Sequence, residues 1–211
     1  MKIGEIKAQA LRLMYPDAPI RFDSEDGASV ERAIYELKCN PSFEGLLEGT
    51  VGSINRALAI IEAKELSPAM CNDVSSSICD RLGDGRLLIR TSDDFLSAEA
   101  LLFHKNGKTA VCSFQLLDGG VATEYKRGIF TLIYKTKLPR ISSVTSDGFE
   151  LILPRGVCEL IPYFIKSELF SGENQSEARH CRELFEIGLE RIYSRTRIPC
   201  FDCFETVYSQ G

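Results

Sequence analysis

Apolar positions recur with a helical period at both ends of the chain and with a two-residue period between them. Near the C-terminus, Val157, Leu160, Ile161, Phe164, Ile165 and Leu169 are spaced to line one face of a 3.6-residue helix. Ala178, Cys181, Leu184, Phe185, Leu189 and Ile192 repeat the pattern and predict a second helix. Gly172 is placed to end the first, and Asn174 with Glu177 three residues later makes a capping-box-like start for the second. A helical hairpin over residues 153–194 is expected.

The N-terminal third reads the same way. Ile3, Ile6, Ala10, Leu11 and Met14 predict a helix that Pro16 stops. Ser29 caps a second helix through Val30, Ala33, Ile34 and Leu37, and Asn40-Pro41 opens a third carrying Phe43, Leu46, Leu47, Val51, Ile54, Leu58 and Ile61. Gly45, Gly49 and Gly52 lie within it, each costing up to about 1 kcal/mol relative to alanine, which predicts close approach of another backbone. Ser67-Pro68 then predicts a short fourth helix through Met70, Val74 and Ile78, closed by Gly83-Asp84-Gly85.

Beyond Gly85 the period changes. Arg86 to Arg90 and Ala98 to His104 read as strands, and Lys105-Asn106-Gly107-Lys108 places Asn-Gly where a two-residue type I′ hairpin requires it. The returning strand alternates Ala110, Cys112, Phe114 and Leu116 on one face. Asp118-Gly119-Gly120 predicts a second turn, followed by strands over Val121 to Tyr125, Ile129 to Tyr134 and Phe149 to Leu153. The stretch Ile129 to Tyr134 is apolar on both faces and is expected inside the sheet. Helices, then strands, then helices define an α+β protein. The expected divisions are an N-terminal helical part (1–85), an antiparallel β insertion (86–152) and a C-terminal helical hairpin (153–211) that completes a helical bundle.

Composition fits such a globule: 211 residues with 44% hydrophobic content can build a core. The longest apolar runs fall well short of the roughly 20 residues that span a bilayer, and residues 1–15 lack a signal-peptide pattern, so an intracellular protein without a transmembrane helix is expected. Eight cysteines are too few for a disulfide scaffold and are expected to be mostly free, buried thiols, with Cys112 and Cys181 on apolar faces. Cys200 and Cys203 form one C-x-x-C pair, which could supply half of a zinc site or a redox dithiol. Nothing completes such a site, and chance placement in a C-terminal segment is favoured.

The net charge of -5 is unevenly spread: residues 86–148 hold nine Lys or Arg against six Asp or Glu. Lys126, Arg127, Lys135, Lys137 and Arg140 could form a nucleic-acid-facing stripe, but solubilising residues flanking a buried strand are the preferred reading. Neither glycine-rich turn has P-loop or dinucleotide-site context. His104 borders the hairpin turn and His180 lies in a helix beside Arg179, so both read as surface residues. The carboxylate pairs Asp93-Asp94 and Glu25-Asp26 read as solvated loop charge. No enzyme and no cofactor are expected.

The closing segment, "FELILPRGVCELIPYFIKSELFSGENQSEARHCRELFEIGLERI", resembles that of bacteriophage head-to-tail connector or neck proteins, the adaptor and tail tubular class. The matching positions are Phe149 to Leu153, Leu153-Pro154, Pro162-Tyr163, Glu168-Leu169, Glu173, Asn174, Phe185-Glu186 and Gly188-Leu189. The opening "MKIGEIKAQALRLM" is similar to the first helix of such proteins, and "KLPRISSVTSDGFELILP" to the arm returning from their sheet. The resemblance implies a non-enzymatic, prophage-encoded virion structural protein, present in the bacterial cytoplasm during assembly and then in the virion neck. Its copies would form a ring meeting portal and tail proteins, with DNA passing through and no membrane contact. Lys105, Asn106, Gly107 and Lys108 at the hairpin tip are the expected contact. The alternative is a cytosolic binding domain for a small ligand or zinc, with Cys200 and Cys203 as the metal handle.

Overall fold

A computed structural model describes residues 1–17 and 27–196. The chain is α+β and divides into two compact units. One comprises Met1–Leu66 with the segment from Arg140 onward, and the other is Ser67–Pro139, inserted between those two pieces.

The discontinuous unit is helical. Helix α1 (Ile3–Met14) buries Ile3, Ile6, Ala10, Leu11 and Met14 as their spacing requires, and Glu5 accepts the Lys2 backbone N–H at its first turn. α2 (Gly27–Lys38) and α3 (Pro41–Ala63) follow, α3 burying Leu47, Ile54, Leu58 and Ile61. The expected first helix of the C-terminal hairpin is broken in two, α4 (Arg155–Cys158) and α5 (Ile161–Leu169). Pro162 has no N–H to continue the ladder and its ring crowds the carbonyl four residues back, so the chain restarts with Pro162 in the first turn of α5. α6 (Gln175–Thr196) begins where expected, with the Asn174 side chain accepting the Glu177 N–H at 3.2 Å. Gly172 is not the helix terminator: α5 ends at Leu169, and Gly172 lies in the turn beyond without a positive φ.

α5 packs against α1, α3 and α6. Phe164 and Phe185 are fully buried with ring centroids 4.8 Å apart, and burying such a side chain contributes about 1.5 to 3 kcal/mol. Leu184, read as core, lies outside it at 38% exposure. Two lysines are buried with their charges met: Lys7 pairs with Asp147 at 2.7 Å, and Lys166 bonds Glu177 and the Leu13 carbonyl. The glycines of α3 do not admit another backbone. Gly45 faces open space, Gly52 lies beside the Arg56 side chain, and only Gly49 is closely approached, by the Leu169 side chain. Phe149 to Leu153 is not a strand, since its ladder is a single bridge between Lys2 and Glu150.

The inserted unit holds two four-stranded antiparallel sheets rather than one. Strands β1 (Ala69–Ser75), β8 (Ile129–Thr136), β4 (Phe95–Lys105) and β5 (Lys108–Val111) form the first in that order. β2 (Asp80–Arg81), β3 (Leu87–Arg90), β7 (Gly120–Thr123) and β6 (Phe114–Leu117) form the second. Leu101, Phe130 and Leu132 of the first sheet meet Leu87, Ile89 and Val121 of the second in one core, a sandwich arrangement.

Two expectations fail here. The helix expected from Ser67 is β1, paired along its length with β8. Met70, Val74 and Ile78 imitate a helical stripe, yet Met70 and Ile78 stay exposed, while Asn72, Asp73 and three serines disfavour helix and β8 gains a second neighbour. The strand expected from Thr109 to Leu116 is two strands in different sheets: the chain turns a corner at buried Cys112 and at Ser113, whose carbonyl accepts the Thr123 hydroxyl at 2.9 Å. Ile129 to Tyr134 lies inside a sheet as expected, between β1 and β4. No helix among the described residues is long and apolar enough to cross a membrane.

Candidate interaction site at the hairpin end of the inserted unit

The tip residues fold as their sequence dictates. Lys105 pairs with Lys108 across the β4–β5 ladder, and Asn106 and Gly107 take φ of 51° and 74°. Both central residues are thus left-handed, the condition for a type I′ turn. Lys105, Asn106, Gly107 and Lys108 are all exposed.

Immediately behind the tip, His104 faces Thr109 across the same ladder. Its Nδ1 lies 2.8 Å from the Thr109 hydroxyl and its Nε2 2.8 Å from the Thr131 hydroxyl, which in turn donates to Asp73. The Thr131 hydroxyl donates its single hydrogen to Asp73, so toward His104 it can only accept, which places a hydrogen on Nε2. The imidazole is thereby oriented, and one hydrogen-bonded row crosses β1, β8, β4 and β5. Sequence reading placed His104 at the surface as an isolated residue, whereas it is half-buried with both ring nitrogens engaged. The row was legible only once the β1–β8–β4–β5 register was known, because Asp73 lies in the segment taken for a helix.

A second loop joins the tip. Gly128 packs against β4 so closely that an added Cβ would lie 2.8 Å from the His104 carbonyl oxygen. The Gly128 carbonyl accepts the Ser76 N–H at 2.9 Å, and its own N–H donates to the Ser76 hydroxyl at 3.0 Å. The loop carrying Lys126 and Arg127 is therefore held at the same end of the sandwich, with the Lys126 ammonium 5.9 Å from the Phe103 ring centroid and 3.9 Å from Cys112 Sγ. The basic segment does not make one stripe, because β8 separates Lys126 and Arg127 from Lys137, and Lys135 pairs with Glu99 at 3.2 Å.

Other candidate features have structural roles. Asp84 closes the β2–β3 turn by accepting from the backbone and side chain of Arg86, which holds its carboxyl below the usual range. Gly119 takes a positive φ in the β6–β7 turn. His180 is exposed on α6, and Asp93 and Asp94 are exposed in a loop. An open groove of about 750 Å³ lies between α3 and α6, lined among others by Ile60, Lys64, Ile187 and Glu190, but Lys64 pairs with Glu190 and Arg182 with Glu186. Cys39, Cys71, Cys79, Cys112, Cys158 and Cys181 are free thiols, of which Cys39 and Cys71 are exposed. Among the described residues no group of three or more potential ligands could hold a metal. Cys200, Cys203, Glu25 and Asp26 lie outside the described residues.

No protein-family model matches the chain, and comparison with curated proteins finds no match.

Proposed function

We propose that this chain is a non-enzymatic structural protein of the bacteriophage head-to-tail connector, encoded by a prophage, that acts by ring assembly and by docking to portal and tail components. The observation that carries the reading is the closing segment. The stretch that resembles connector proteins combines a returning arm, entry at Leu153-Pro154, a helix restarted at Pro162 and a side-chain-capped final helix. It packs α5 onto α1, whose sequence carries the second part of the resemblance. An exposed, rigidly based tip at Lys105 to Lys108 suits a docking contact. The cytosol would hold the protein during assembly, and the virion neck afterwards.

The test is particle assembly. Lys105→Glu with Lys108→Glu, keeping Asn106-Gly107, should leave the thermal midpoint nearly unchanged, because exposed tip side chains bury little, yet reduce infectious particles in a phage complementation assay. Undiminished assembly discards the tip as a contact. A gene neighbourhood without phage morphogenesis genes overturns the assignment.

A further inference from the structure

The topology of the inserted unit gathers most of its cations that lack an ion pair at one end. β4 runs from Phe95 to Lys105, so the residues preceding and following it lie about 30 Å apart. Asp93 and Asp94 precede it. Asp118 belongs to the same end, since the Thr91 N–H donates to the Gly119 carbonyl. At the other end Lys105 and Lys108 form the tip, Lys126 and Arg127 occupy the adjoining β7–β8 loop, and Arg81 on β2 lies with its guanidinium carbon 4.3 Å above the Tyr125 ring. With Arg86 included, that end carries six cations against Asp84, Glu124 and, in the row behind the tip, Asp73, while Asp80 beside Arg81 is paired with Arg90.

Only Arg86 among these cations is spent on a carboxylate of the described residues, in its pair with Asp84. The others are placed by backbone or by aromatic rings rather than by ion pairs, the Lys126 ammonium lying 5.9 Å from the Phe103 ring centroid and 3.9 Å from Cys112 Sγ. The type I′ turn sets Lys105 and Lys108, the Gly128–Ser76 bonds set Arg127, and the ring of Tyr125, itself 44% exposed, seats Arg81. Cations concentrated on one end of a protein with net charge -5, interleaved with an exposed aromatic ring and the Ser77 and Asn106 side chains, match the groups that grip a phosphodiester backbone.

We propose that the hairpin end of the inserted unit binds the phosphate backbone of double-stranded DNA without sequence preference, through Lys105, Lys108, Lys126, Arg127 and Arg81. This names a partner for the tip and rests on the connector reading for where the contact acts. Neutralising about four phosphates makes the logarithm of affinity fall with the logarithm of salt with a slope of about -3.6, or roughly 150-fold between 50 and 200 mM salt.

The experiment is fluorescence anisotropy of a labelled 20-base-pair duplex with the full chain. Wild-type protein should bind at 50 mM salt with that slope, equally for unrelated sequences. Lys105→Glu/Lys108→Glu and Lys126→Glu/Arg127→Glu should each weaken binding at least tenfold and flatten the slope, while Lys137→Glu at the acidic end leaves affinity within twofold. Absence of binding at 50 mM salt, equal weakening by Lys137→Glu, or equally tight binding of polyglutamate overturns the inference. The complementation assay separates this from the connector reading: assembly that depends on the tip in a protein that ignores DNA rejects the DNA contact alone.

Discussion

Asn55 in α3 holds Ile141 by a reciprocal pair of hydrogen bonds: its side-chain amide donates to the Ile141 carbonyl at 2.7 Å, and its side-chain oxygen accepts the Ile141 N–H at 2.8 Å. One side chain thus satisfies both backbone groups of a residue that is itself buried. It fixes the point at which the chain rejoins the helical unit.

Asn55→Ala should destabilise the protein by about 1 to 2 kcal/mol, because it strands a donor and an acceptor in a partly buried position. Asn55→Asp should cost at least as much, since a carboxylate can accept the Ile141 N–H but turns its other oxygen toward the Ile141 carbonyl. Urea unfolding measures both. An Asn55→Asp midpoint equal to the wild type would show that the amide donor contributes nothing.

The α3 glycines separate propensity from packing. An alanine at Gly45 meets nothing within 4 Å, whereas a Cβ at Gly49 would sit 3.0 Å from Leu169 Cδ2. Gly45→Ala should therefore raise stability by about 0.5 to 1 kcal/mol, the helix-propensity gain. Gly49→Ala should lose that gain to displacement of Leu169 and come out neutral or destabilising. Equal stabilisation by both would mean that Leu169 yields freely.

Local signals carried much of this fold. Asn106-Gly107 fixed its hairpin because both residues must take positive φ, and the capped start at Asn174 follows from a free backbone donor that its side chain accepts. The failures were tertiary. Met70, Val74 and Ile78 have helical spacing, and only pairing with β8 reveals the strand. The corner at Cys112 and Ser113 is invisible to a period-two pattern that runs through it unbroken. The hairpin tip was legible as an exposed turn, but its anchoring was not: Asp73, Thr131, His104 and Thr109 are brought together only by strand register.

The cysteines give a last test, which follows from burial. Desolvation raises the thiol pKa of Cys79, Cys158 and Cys181 above the ordinary value, with the Asp80 charge adding to the effect at Cys79. Less thiolate forms at a given pH, and the thiolate is the reactive species. In native protein at pH 8, Cys39 and Cys71, both exposed, should alkylate first, and Cys158 and Cys181 at least about tenfold more slowly, as read by peptide mapping. Under denaturing, non-reducing conditions all eight cysteines should titrate. The sign of the linked pH effect is set by the unfolded state, which releases these thiol protons first as pH rises. Stability is therefore full below the unfolded thiol pKa and declines from about pH 8.5 upward. Cys158→Ser should shallow that alkaline decline. Labelling of Cys158 as fast as Cys71, or an alkaline slope untouched by the substitution, would remove burial as the cause.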